Sequence, residues 1–284
     1  MNETADAATD YDPRKEPRRF AAKFADVIQA VEDVEAAVRR VLWETPAEVF
    51  PPGRDPNMTD ILINTLGRVC VEEFREIQIL CAYGMGNAAG RLLRGQFERV
   101  VTIGYLINHP QETTNFVAHW DAIRGRHLSH LRDALGDGMD VISPEDIERI
   151  RAKAEAAKLV LPKDGSVWSR LSVPDMAMKA GPPESTSLRS LYYDCYFVPT
   201  QQVHATLEST EAYLDQSSGK PRWRVPQRER AARVFSLSHQ LVILVLEMNM
   251  RYFRLPYRDV LLNTLMSRFV EVWKGRHEES EGAP

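Results

Sequence analysis

Three charged side chains fall in line on an otherwise apolar segment. In "NAAGRLLRGQFERVVTIGYLINHP" (87–110), Arg91, Arg94 and Glu98 recur at three- and four-residue spacing, with Asn87 before them and Val101 and Tyr105 after, and so share one side of a helix. About a hundred residues on, "LYYDCYFVPTQQVHATLEST" sets Tyr193, Tyr196, Thr200 and His204 at the same spacing. An arginine pair grips an oxyanion through forked N–H donors, a carboxylate beside it pairs with it or takes a proton, and a histidine moves a proton near neutral pH. Facing one another inside a bundle, the two sets would form a buried polar cluster, because charge is tolerated there only when paired and hydrogen-bonded. Such a cluster either pins helix register or does chemistry, with Arg94, Glu98 and His204 as reacting groups and Arg91, Tyr193 and Thr200 as binding groups.

The elements that must position these residues are helical. Phe20, Phe24, Val27, Ile28, Val31, Val34 and Val38 recur at helical period up to Trp43, and a second run extends from Thr59 and Asp60 to Cys81, the pattern of amphipathic helices. The segment near 85–108 stops at His109-Pro110, since the residue before proline disfavours the helical region. A further helix follows and is closed by Gly136 and Gly138; the next has Ser143 as cap and Pro144 at its first position. Residues 161–186 carry four prolines and are read as a long covering loop over the site. Helical period returns from Ser187 to Leu214 with a kink at Pro199, then over 227–254 and 257–275, separated at Leu255-Pro256. The expectation is all-α: a bundle of about seven or eight helices, residues 16–284 forming one domain behind a disordered tail (1–15), with 85–108 and 187–208 as the central pair.

Composition narrows the function classes. A formal net charge of −4 supplies no basic field for nucleic acid, and three cysteines without CxxC spacing support neither a disulfide framework nor a zinc site. The longest apolar stretch, "LVILVL", is far short of the roughly 20 residues a membrane span needs. The expected location is cytoplasmic, with no membrane, metal or cofactor.

An Arg-x-x-x-Glu helix among small and apolar residues, followed about a hundred residues later by a tyrosine-rich helix ending in Ser or Thr, three residues, then His, resembles the bacterial family catalogued as domain of unknown function 5677. The resemblance spans roughly residues 60 to 250. It places Arg94 and Glu98 on the first motif and Tyr193, Thr200 and His204 on the second, with Thr200 where serine is more usual and Pro199 beside it. It implies a helical fold and brings no established activity.

Sharper chemistry has thinner support. Arg, four to six residues, then His marks the helical nucleotide-binding nucleases of higher eukaryotes and prokaryotes, where histidine handles the ribose hydroxyl proton and arginine the phosphorane charge. Arg124/His130 in "RGRHLSH" and Arg233/His239 in "RVFSLSH" have that spacing. Twenty-eight arginines and seven histidines produce about two such matches by accident, the number found. The run "RWRVPQRER" (222–230) is the most basic stretch, and a solvated face explains it. No His-Glu-x-x-His helix or Gly-x-Ser-x-Gly elbow occurs. Two functions stand: a helical binding or interaction protein that takes a small anionic ligand or a protein partner, itself a homo-oligomer in one version; and, as the alternative, a metal-independent ribonuclease of toxin or phage-defence type, which would bind RNA through Arg94 or Arg124 and move protons through His204 or His130.

Overall fold

The computed structural model describes residues 11–44, 55–135, 142–181, 188–204, 207–211, 213–215, 222–223, 226–274 and 276. The fold is all-α, with eleven helices among the described residues. They are α1 (Glu16–Lys23), α2 (Ala25–Val38), α3 (Met58–Ala82), α4 (Gly86–Asn108), α5 (Thr113–Leu135), α6 (Pro144–Val160) and α7 (Val173–Ala180). α8 runs through Leu188–Tyr192, a π-helical turn Tyr193–Phe197, and Val198–Val203; α9 (Leu207–Glu211), α10 (Arg228–Tyr252) and α11 (Arg258–Trp273) follow. Leu214–Asp215 pairs antiparallel with Arg222–Trp223 over two residues.

The excess over seven or eight helices arises inside segments whose hydrophobic period reads as unbroken. Phe24 leaves the helical region (φ −118°, ψ 30°) and divides α1 from α2, while α7 lies within the expected loop 161–186. The expected tail lies mostly outside the described residues, and its last part is a turn in which Lys15 N–H donates to Asp12 O at 2.9 Å. Gly136 and Gly138 also lie outside the described residues. Caps set the ends elsewhere: Asn57 and Asp60 satisfy each other's backbone N–H at the start of α3, and Ser143 accepts from Asp146 N–H at α6.

The core is a trio, α3, α4 and α10, not the expected pair of α4 and α8. α10 buries residues on most of its circumference, including Phe235, Leu241, Val242, Val245 and Leu246, whereas α8 buries only Leu188, Cys195, Pro199 and Gln202. Length and composition alone would let α10 cross a membrane, yet two thirds of its apolar window is buried inside the bundle, as in a core helix. Below the trio, α2 and α11 add Val31, Val34 and Trp273. The α5/α6 hairpin has a small core of its own, Ala122, Ala157 and Leu161.

The trio is pinned by a polar centre. Gln96 Nε2 donates to Cys70 O at 3.1 Å, and Ser238 Oγ donates to Gln96 Oε1 at 2.7 Å. Trp273 Nε1 donates to His239 Nδ1 at 3.3 Å, and burial lowers the His239 pKa to about 4, so this imidazole is neutral. At the top, Gly84 takes φ +70° and Gly86 lies against α10: a Cβ at Gly86 would be 2.7 Å from Ala231 N. Gln227 then donates its N–H to Gly84 O at 2.8 Å and accepts at Oε1 from Asn87 N–H at 2.9 Å. This latch fixes the start of α10 beside the start of α4, which positions Arg228 and Arg230.

Candidate functional site

The first half of α4 presents Arg91 and Arg94 just after a small residue, Gly90. Arg91 is exposed, and its Nη2 donates to Tyr213 Oη at 3.1 Å. The Arg94 guanidinium lies 5.0 Å from the Tyr196 ring centroid and its Nη2 donates to Glu98 Oε1 at 3.2 Å, while its buried Nε has no partner. Burial works against the Arg94 charge but is outweighed by Tyr196 and Glu98, so its pKa is raised.

Arg230 completes this face from α10. It is partly buried, its Nε has no partner, and among the described residues no carboxylate pairs with it. Burial, reinforced by Arg233 and opposed by Tyr213, lowers its pKa. A Cβ at Gly90 would lie 3.5 Å from Arg230 Nη2 and 3.7 Å from Gln202 Oε1, so α8 and α10 converge on one spot of α4. Gln202 Oε1 is buried and also lacks a partner. Guanidinium donors that face no carboxylate are the chemistry of oxyanion binding.

The expected buried Arg-Glu-His-Tyr cluster needs correction. Arg94 and Glu98 side chains are 28% and 40% exposed, so the pair is open. Tyr193 is 61% exposed and stacks on Phe197; Tyr196 occupies the place by Arg94 expected for it. The cause is local: proline lacks the N–H and crowds the carbonyl four residues back, and the turn just before Pro199 is π-helical, which shifts the register of the side chains. Thr200 spends its hydroxyl on Tyr196 O at 2.6 Å. His204 is exposed at the end of α8, with no hydrogen bond, ion pair or ring contact to Arg91, Arg94 or Glu98 among the described residues.

Arg124 and His130 lie on α5, Arg124 half-buried and His130 exposed, within the hairpin and off the α4 face. Nearby, Arg126 Nη1 donates to Gly165 O at 2.7 Å. The described part of the expected loop, 161–181, covers the other half of α4: Asn108 Nδ2 donates to Lys179 O at 2.8 Å, and a Cβ at Gly104 would sit 2.5 Å from Ala180 O. No hydrogen bond or ring contact ties these described residues to Arg91 or Arg94.

Two residues escaped sequence reasoning. Arg230 sits in the basic run 222–230, but only the fold brings it to Gly90. Glu73 of α3 meets Arg99 Nη1 at 2.6 Å through Oε1, and its buried Oε2 has no partner. Burial, with Glu76 and Glu98 adding to it against Arg99, raises the Glu73 pKa to about 7. Cys70, Cys81 and Cys195 are free and buried, and burial raises all three thiol pKa values.

No curated protein and no solved structure matches the chain. The matching family is described as a family of unknown function (DUF5677), and the match runs over residues 60–221, from the start of α3 past the end of α9. It takes in Arg91, Arg94, Glu98 and Gln202 and leaves out Arg230. With more than half of its residues matched, the chain belongs to this family.

Proposed function

We propose that this is a helical binding protein that holds a small anion, a phosphate or carboxylate group, on the face formed by Arg91, Arg94, Gln202 and Arg230. The observation that carries the reading is Arg230: a partly buried guanidinium with an unpartnered Nε and, among the described residues, no carboxylate beside it. Desolvating a charge without compensation is costly, and an oxyanion between Arg230 and Arg91 would remove that cost. Gln202, with one NH2 group to donate, adds orientation. The open setting of the Arg94–Glu98 pair fits a surface that exchanges its ligand with solvent.

The test uses inorganic phosphate as probe. Phosphate raises the melting temperature of the wild-type chain saturably above a sodium chloride control of equal ionic strength, since a ligand of the folded state stabilises it by mass action. Arg230→Gln weakens phosphate binding about tenfold or more, the loss expected for a charge-assisted hydrogen bond. An identical phosphate response in Arg230→Gln overturns the reading. Cleavage of RNA in EDTA by the wild type, lost in Arg94→Gln, would replace it with the ribonuclease alternative.

A further inference from the structure

A second concave site lies on the opposite side of the α10 start, between α1, the end of α3 and Arg228. It is a cavity of about 220 Å³, below the roughly 300–1,000 Å³ of pockets that take drug-sized ligands. One wall is apolar, made by Phe20, Phe24, Cys81 and Ala82. The other is charged and rigid. Glu16, 3% exposed, accepts from Arg228 Nη2 at Oε1 (2.6 Å), from Arg228 Nε at Oε2 (2.9 Å) and from Arg19 Nη1 at Oε1 (3.1 Å). Arg228 first, and Arg19 after it, hold the Glu16 pKa low against burial, so the carboxylate stays charged and occupied.

Lys23 is the remaining cation of the lining. Its Nζ lies 5.7 Å from the Phe24 ring centroid, and among the described residues no carboxylate pairs with it. The lining thus sets three cationic side chains against a single, saturated carboxylate, beside an aromatic wall. An anion alone would not use the phenylalanines, and an apolar molecule would not use Lys23.

We propose that this cavity binds a small amphiphilic carboxylate, a monocarboxylic acid on a single ring or short alkyl chain, with its apolar body against Phe20 and Phe24 and its carboxylate at Lys23. The site is independent of the Arg230 face.

Isothermal titration of the full chain in saturating phosphate, which fills the Arg230 face, at constant ionic strength with phenylacetate, 2-phenylethanol and 2-phenylethylamine tests it. Phenylacetate binds one to one, about tenfold tighter than the alcohol, and the amine binds weakest. Lys23→Gln brings acid and alcohol to near-equal affinity, and Ala82→Trp, checked for an intact melting transition, abolishes binding of both. Arg230→Gln leaves phenylacetate binding unchanged. Absence of phenylacetate binding at millimolar concentration, equal affinity for acid and alcohol in the wild type, an acid preference that survives Lys23→Gln, or loss of phenylacetate binding in Arg230→Gln would each overturn the proposal.

Discussion

Two polar regions on α4 are finished in opposite ways. Gln96 is fully buried and spends both ends of its amide on Cys70 and Ser238, from the two helices that flank it. Arg94, two residues earlier, and the Arg230 that approaches Gly90, six residues earlier, keep donors without acceptors. Both regions combine residues from distant parts of the chain, and both would be called polar clusters from composition alone. What separates them is completion: bonds closed within the fold make architecture, and bonds left open beside solvent mark where something else docks. Charge is a poor guide to the difference, since the closed region is neutral and the open one still contains an ion pair.

Substitutions on the two sides break or sharpen this contrast. The largest effect falls on the closed side. Gln96→Ala leaves the Ser238 hydroxyl without its acceptor and the Cys70 carbonyl without its second donor, beside a cavity, and should cost about 3 kcal/mol or more in urea unfolding; a loss under about 1 kcal/mol would place it on a par with surface bonds. On the open side the sign should reverse. Arg230→Met removes an uncompensated buried charge and should leave stability unchanged or raise it by about 1 kcal/mol while phosphate binding disappears; a loss beyond about 2 kcal/mol would make Arg230 structural. The smallest effect belongs to Glu98→Ala. An open i,i+4 pair with arginine on the N-terminal side contributes at most about 0.5 kcal/mol, read by the same unfolding curves; a cost near 3 kcal/mol would mean that the pair closes into a network after all.

Helix existence was legible because period and capping are local. Asp60, Ser143, Pro144 and the Leu255-Pro256 break each act within a few residues of their own position. Helix partnership was not. Apolar period shows that α8 and α10 each bury a face, but the all-round burial of α10, which makes it the third wall of the core, depends on what surrounds it. The site was half legible: Arg91 and Arg94 stand out by spacing, whereas Arg230 reaches Gly90 only through the Gly84–Gln227 latch, across about 140 residues of chain. Tyr193 was read as sharing a face with Tyr196 because straight helical period was carried through a π turn.

The separation of α4 from α10 along the chain has a consequence for how the molecule is made. Some 120 residues lie between the end of α4 and the start of α10, so at ordinary ribosomal speeds of ~5–20 residues per second α4 waits roughly ten seconds for its third wall. During that interval Leu93, Phe97 and Val100 lean on α3, and then on α7 and α8 as these emerge, without the wall that α10 supplies. Arg230 is among the last contributors to emerge, so the face proposed to hold an anion is assembled only when the fold has closed, and on that proposal a bound anion would report a finished molecule.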